Sequence, residues 1–486
     1  MVTKVAGLRH AGGQYEMPVA STAVEAPRKW GFPEWFVISQ TALPAILYLP
    51  NTQALRLPLR VASFGISLAA LMWWLGKRTK NIKLHPAAHW LFLIVICLAL
   101  MIFHPTTNTI LAGLAQTMLY LSVLAPVFWA AAIVRSPERL MRLLAILLVC
   151  NGLNSLVGVL QVYNPSYWMP EEFSNVALSL KYGLGNFTYI NAAGQLAIRP
   201  TGLFDTPGAV CGPGMIAGTL GLIFALSPLV WWKRLFAFGA SITGMAAVYY
   251  SQVRTSLLIM AGMIVVYAVI MWSIQHQKAR AIAFVGVAAL LLAALFAFTI
   301  GRSSAMVAKR FAALTQGNPV AVYYQANRGN QLENAFTTLL PQYPLGAGLG
   351  RWGMMRLYFG DESNLDSPLI WAELQFPAWI LDGGIILMIL YCLALAATTL
   401  YEFRIARKSR NTKLGSLVPI VIAINMGTLA LVLGFTPFTT QLGLQYWFLA
   451  GALHGVAQGG GLFLHEHIRT GQRGFHDMGR HGSRQL

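Results

Sequence analysis

The sequence predicts an all-α, polytopic membrane protein with about twelve transmembrane helices and two long loops on its outer side. Three observations carry this: composition, a train of apolar runs, and a one-sided distribution of positive charge. Hydrophobic residues make up 56% of the 486-residue chain and charged residues 10%, with a mean hydropathy of +0.58. A soluble globular chain carries roughly 25% charge. The alternating ten-residue strands of a membrane β-barrel are missing from the pattern.

A helix needs about 20 apolar residues to cross a hydrocarbon core. Runs of this kind lie near 34–49, 57–76, 87–103, 107–134, 138–163, 207–230, 234–251, 255–274, 279–300, 366–400, 416–434 and 440–463, the first interrupted by Pro44. Cytoplasmic connections retain Lys and Arg, so the charge between runs sets orientation. The N-terminal arm, 76–83, 135–142, 232–234, 275–280, 403–413 and the C-terminal tail hold about 24 of the 35 Lys and Arg. Both termini are therefore expected inside, in three regions: a tail over 1–33, a membrane domain over 34–463 and a tail over 464–486. This sidedness accounts for the net charge of +19, with contact to anionic headgroups of the bilayer, and leaves no need for nucleic acid as a partner.

The N-terminal arm lacks the order of a cleavable signal peptide. The C-terminal His465, His467, His476 and His481 match no structural zinc spacing and read as part of a solvated basic tail. Cys97, Cys150, Cys211 and Cys392 sit in apolar runs, as buried thiols rather than disulfides do. Neither a fixed-period repeat nor an inverted repeat of broken helices is visible.

Two outer connections are long, near 164–206 and 301–365, and ordered long loops carry function. The first leads through Arg199 to Asp205-Thr206-Pro207, read as a helix start. An arginine beside the free N–H groups of a helix start suits phosphate, although an arginine snorkelling to headgroups fits the same position. Arg254 lies in a hairpin so tight that its charge sits at the hydrocarbon edge, which marks it as functional. The second loop carries Lys309, Arg310, Arg328 and Arg351. Its Leu332, Phe336, Leu339 and Leu340 have the spacing of a short surface helix. The glycines of PLGAGLG, 344–350, follow no strand, so they predict a tight turn with close backbone approach rather than a nucleotide loop. Asp361, Glu362, Asp366 and Glu373 follow, with Glu373 expected about two turns into a span.

These segments, in this order, resemble the O-antigen ligase and polymerase superfamily of bacterial membrane glycosyltransferases. The resemblance rests on RPTGLFDTPGAV at 199–210, SQVRTSLL at 251–258, the arginine of NRGNQLENAF, PLGAGLG and NLDSPLIWAELQFPAWILDGG at 364–384. It implies transfer of glycan from undecaprenyl diphosphate at the outer face of the bacterial inner membrane, with no nucleotide sugar, no cofactor and no metal. It further implies that Arg199, Arg254 and Arg328 hold the diphosphate. Arginine suits this role because it stays charged and grips oxyanions with two donors.

The position where ligases of the family carry histidine is Asn364, and a neutral amide cannot accept a proton. His104 is the one histidine assigned to an outer connection. The candidates for the base are Asp366, Glu333, Glu373 and Asp205, in that order. Glu333 reads equally as a solvated charge on the surface helix. The resemblance points first to a polysaccharide polymerase acting on lipid-linked repeat units, and second to a ligase that moves glycan to lipid A core or another acceptor. A transporter of lipid-linked glycan and a non-catalytic assembly component are the remaining readings. A chain-length regulator and other polysaccharide assembly proteins are the partners this implies. Tyr163, Tyr167, Trp168, Tyr182 and Phe187 suit either sugar stacking or an interfacial belt.

Overall fold

The computed structural model describes residues 30–49, 52–77, 83–169, 188–190, 196–204, 206, 208–251, 253–302, 328–460 and 462. Most of the N-terminal tail, the four C-terminal histidines, Asp205, Tyr182, Phe187, Lys309 and Arg310 lie outside the described residues. The described chain is almost entirely helical. The helices are α1 (Phe32–Ile46), α2 (Arg56–Gly76), α3 (Ala88–Met101), α4 (Ile110–Leu124), α5 (Pro126–Ile133), α6 (Pro137–Tyr163), α7 (Cys211–Ala225), α8 (Trp231–Tyr250), α9 (Arg254–Ser273), α10 (Lys278–Arg302), α11 (Gly353–Phe359), α12 (Gln375–Lys408), α13 (Val418–Ala430) and α14 (Gln441–Gly459). One small antiparallel ribbon pairs Thr188–Ile190 with Leu196–Ile198. Among the described residues, seven helices are long and apolar enough to cross a membrane.

Each of the twelve apolar runs overlaps a helix, and the helix ends are joined by contacts in two sets. At one end, Arg139 pairs with Glu34 and Lys413 with Glu138, while the carbonyl of Lys83 accepts from Gln458 Nε2 at 2.7 Å. At the other, Thr106 Oγ1 donates to the carbonyl of Ala347, Thr109 Oγ1 to that of Phe359, and the hydroxyls of Tyr163 and Tyr250 lie 2.8 Å apart. Glu34 shows how an end is fastened. Its carboxylate accepts from the Gly31 N–H at the start of α1 and from Arg139 Nε and Nη2 at 3.0 and 2.8 Å, which pins α1 to α6.

Small residues set the closest packing. On α7, Gly214, Gly218 and Gly221 face α8, and a Cβ added to Gly221 would lie 2.5 Å from the carbonyl oxygen of Ala237. Without side chains in between, the two backbones meet directly, as apolar helices do where lipid offers no hydrophobic drive to associate.

Two boundaries differ from expectation. The apolar run at 366–400 becomes helical only at Gln375, after an extended Leu374, so Glu373 precedes the helix instead of lying two turns inside it. The helix is also broken at Gly383 and Gly384, where Gly384 has φ +63°. The start expected at 205–208 falls at Cys211, because Gly208, at φ +70°, cannot continue a right-handed helix. The helical stretch predicted around Leu332 and Phe336 is present over residues 330–342, with Phe336 packed 5.8 Å from Phe376. All four cysteines are free thiols.

His85 is buried before α3, its Nδ1 accepting from the Ala87 N–H at 3.2 Å and its ring 5.2 Å from that of His454. Burial, and secondarily His454, hold its pKa well below the ordinary histidine value. The imidazole thus stays neutral in the fold while the unfolded chain takes up a proton near pH 6.5. Its contribution to stability is complete above about pH 6.5 and is lost as pH falls below that value. The unfolding midpoint in detergent is expected to drop between pH 7 and pH 5, with a shallower drop in His85→Gln. An unchanged slope in that variant would remove His85 as the cause.

Candidate functional site

A cavity of about 1550 Å³ runs between α1, α2, α6, α7, the start of α9, α11, the 362–373 segment and α14. This exceeds the roughly 300–1,000 Å³ of ordinary small-molecule pockets. At its outer-assigned end it is lined by Arg56, Arg60, Arg199, Arg328 and Arg356, with Glu362 and Glu373 as the facing carboxylates. Deeper, its walls are Phe36, Val37, Phe64, Leu143, Leu147 and Phe448. Phe36 and Leu143 belong to the early turns of α1 and α6, both of which start at the inner-assigned end. The space therefore pairs a cationic head with a long apolar shaft.

Arg199 is held by the residues that follow it. Gln161 of α6 accepts from the N–H groups of Thr201 and Gly202 at 3.0 and 2.9 Å and donates to the Gly202 carbonyl at 2.9 Å. Asn154, two turns earlier, accepts from the Leu203 N–H at 3.0 Å, and the Tyr48 hydroxyl also bonds the Gly202 carbonyl. With its backbone fixed in this way, Arg199 reaches Gly208, where an added Cβ would lie 3.4 Å from Nη2, and comes within electrostatic range of Cys211 at the start of α7. Arg199 therefore stands near the start of α7, but the N–H groups there are spent on turn carbonyls, Ala209 on Thr206, Cys211 on Gly208, Gly212 on Ala209 and Gly214 on Val210, and do not form the open set expected beside the guanidinium. The Arg199 Nε is buried and finds no hydrogen-bond partner among the described residues. The α9 helix begins at Arg254, beside the cavity-lining Val253, Thr255 and Ser256. The Arg254 side chain itself lies outside what is described.

Arg328 pairs with Glu373, whose Oε2 also accepts from Gln331 Nε2 at 3.1 Å and whose Oε1 accepts from Trp371 Nε1 at 3.0 Å. The structure thus brings Arg199, Arg328, Glu373 and Asn364 to one cavity. It does not bring Asp366 or Glu333 there, since both are exposed and neither lines it. Asp361 is exposed as well, its carboxylate held below the usual range by the Ser363 hydroxyl and N–H. Asn364 is committed to the backbone, with Nδ2 donating to the Asn108 carbonyl at 3.0 Å and Oδ1 accepting from the Asp366 N–H at 3.1 Å.

Arg351 is buried and spends its donors on loop carbonyls, Ala347 at 2.8 Å and Pro368 at 3.2 Å from both Nε and Nη2. It staples the glycine turn and is a loop contact, not a cavity cation. His104 stands at the same turn, its Nδ1 3.0 Å from Thr106 Oγ1. Burial, then the charge of Arg351, lowers its pKa.

The glycine segment 344–350 makes the close approach that its composition predicts. It threads between the 104–112 stretch and the break in α12, where the Ala347 N–H donates to the Leu381 carbonyl at 2.7 Å and the Ile385 N–H to the Pro344 carbonyl at 3.0 Å. The groups freed by the broken helix are thereby satisfied, as irregular backbone in an apolar surround requires. Gly348 has φ +85°, and a Cβ there would lie 2.5 Å from the Thr107 nitrogen. Gly348→Ala is expected to cost roughly 2–4 kcal/mol, from left-handed strain and a clash with backbone that cannot move aside. A thermal midpoint within 1 °C of the parent, roughly the level at which a core substitution goes unnoticed, would show that the turn yields.

Two positioning residues escaped the sequence reading. Asn108 donates to the Asp361 carbonyl at 3.0 Å and to Ser367 Oγ at 2.8 Å, while accepting from the Asp361 N–H at 2.6 Å. Asp382, fully buried, accepts from Tyr120 at 2.7 Å, Trp352 Nε1 at 2.8 Å and Gln116 Nε2 at 3.1 Å. An aspartate inside the apolar run AWILDGG was the available signal for the second. Asn108 gave none, because TNT before a helix reads as capping, and Thr109 is indeed the cap of α4.

No protein-family model matches the chain, and no curated protein matches it either.

Proposed function

We propose that this protein is a membrane glycosyltransferase that moves glycan from undecaprenyl diphosphate to a lipid-linked repeat unit at the outer face of the bacterial inner membrane, as a polysaccharide polymerase does. In this reading the chain crosses the bilayer about twelve times with both termini inside. The 164–206 and 301–365 connections then lie in the periplasm. The observation that carries it is the cavity: arginines at one end and an apolar shaft reaching through the helices suit a ligand with an anionic head and a long hydrocarbon tail.

Arg199 and Arg328 then hold the donor diphosphate, a role that Arg254 shares in this proposal. The oxygen of the acceptor hydroxyl forms a bond to the anomeric carbon as the bond from that carbon to the phosphate oxygen breaks. The electron pair leaves on undecaprenyl diphosphate, where guanidinium charge stabilises it. Of the four carboxylates nominated for the base, Asp205 lies outside the described residues, and among Asp366, Glu333 and Glu373 it is Glu373 that lines the cavity. The diphosphate competes for Arg328, which draws that guanidinium off Glu373 and leaves the carboxylate to take the hydroxyl proton. Asp366, first in order from sequence, gives way to Glu373 on this geometry.

A transport reading draws on the broken α12 and on its buried Asp382. Both are already satisfied by protein donors and acceptors, which leaves little for a coupling ion.

The test is purified protein with synthetic lipid-linked repeat units, read by product length. Wild-type protein that only relocates lipid, or that transfers only to a lipid A core acceptor, overturns the polymerase reading. Glu373→Gln keeps an acceptor for Arg328 but cannot take a proton. Turnover is expected to fall about 100-fold or more, with donor affinity changed little. Wild-type turnover in this variant would sink the base assignment.

A further inference from the structure

We propose a second anion subsite in the same cavity, formed by Arg356, Arg60 and Arg56, that takes the phosphate of the acceptor's lipid carrier. This deepens the transferase reading and rests on it for the ligand's identity. The subsite itself rests on geometry.

Arg356 is only 5% exposed, yet its Nη1 has no hydrogen-bond partner among the described residues, and it lines the cavity. Burying a guanidinium with a donor unused is costly unless an anion completes it. Arg351 lies within electrostatic range and repels Arg356. Asp361, also in range, is exposed and already accepts from Ser363. An anionic ligand in the cavity would complete such a group.

The opposite wall supplies the rest. Arg56 and Arg60 stand one turn apart on α2, both lining the cavity. Arg60 Nη1 lies 3.2 Å from the Tyr358 hydroxyl and 3.9 Å from Met354 Sδ, so it reaches across to the face of α11 that carries these two residues. Three guanidinium groups and a phenol thus line the cavity, and these are the side-chain types that recognise a phosphate or diphosphate. Leu59, Phe64 and Leu357 continue from them as apolar wall for a hydrocarbon chain. These residues belong to α2 and α11, whereas Arg199 precedes α7 and Arg328 precedes the 330–342 stretch, so the two groups of cations are separately mounted. Two anionic heads in one cavity are what transfer between two lipid-linked substrates requires.

The experiment counts undecaprenyl diphosphate bound per chain by native mass spectrometry of the full-length protein, with inorganic pyrophosphate as competitor. Wild-type protein is expected to bind two, both displaced by pyrophosphate. Arg356→Gln should bind one, or the second at least about tenfold more weakly. Arg199→Ala should lose the other. Arg356→Lys, which keeps the charge, should retain part of the second site, and Arg60→Gln repeats the test should Arg356→Gln fail to fold. Two lipids on Arg356→Gln with wild-type affinity overturn the subsite. A second site that takes pyrophosphate but not the lipid overturns its assignment to the acceptor. Two-site binding that depends on Arg356 in a protein that transfers no glycan leaves the subsite standing and removes the transferase reading instead.

Discussion

Arg199→Ala is expected to lower glycan transfer, measured as kcat/KM with a lipid-linked donor, by about 100- to 1,000-fold, the range seen when one preorganised donor to a developing oxyanion is removed. The expectation comes from how the side chain is mounted. Gln161, Asn154 and Tyr48 clamp residues 201–203, so the arginine is positioned by others and gives little back to the fold. Its buried Nε lacks a partner among the described residues, which is a cost in the resting protein. A residue kept for binding at the expense of stability leaves a recognisable signature. The unfolding midpoint of Arg199→Ala should equal or exceed that of the parent while transfer collapses. Arg199→Lys should recover only part of the rate, since an ammonium supplies charge without the two-donor fork. Transfer within threefold of wild type, well short of the single-donor loss, would end the assignment of Arg199 to the donor head. A midpoint that falls together with activity would make the residue structural.

The features that were legible from sequence are those encoded locally. Apolar runs specify helices because each must satisfy its backbone internally and bury or expose its whole circumference to lipid. The arginine preceding α7 and the close turn at 344–350 were also readable, from the spacing of Arg199, Pro and Gly. The extended entry to α12 was not, because Leu369, Ile370, Trp371 and Ala372 are as apolar as a helix interior and Pro377 is tolerated in a first turn. The convergence of Arg56, Arg60 and Arg356 was invisible for another reason. Residues some 300 positions apart in sequence share a cavity only through the packing of α2 beside α11. The choice among Asp366, Glu333 and Glu373 likewise turned on which backbone stretch faces the cavity, and periodicity carries no such information.

Asp382 bears on that packing most directly. Its three hydrogen bonds tie Gln116 and Tyr120 of α4 to Trp352, which immediately precedes α11, beside the break at Gly383 and Gly384. Asp382→Ala would leave three donors without an acceptor in a site excluded from water, at an expected cost of about 3–5 kcal/mol. Asp382→Asn should be far milder, about 1 kcal/mol. Its Oδ1 can still accept from Trp352, while the Gln116 amide can turn over and the Tyr120 hydroxyl can rotate, so that both accept from the new Nδ2. A group needed for its negative charge or its proton, as in a coupled transporter, would make the two variants equally inactive. A group needed to hold the glycine turn and α11 against α4 would separate them. The alanine variant should lose stability and, through the displaced Arg356, lipid binding at the second subsite. The asparagine variant should keep most of both. Thermal midpoints and lipid counts on the two proteins decide the matter, and equal loss in both would convert Asp382 from a structural tie into a functional carboxylate.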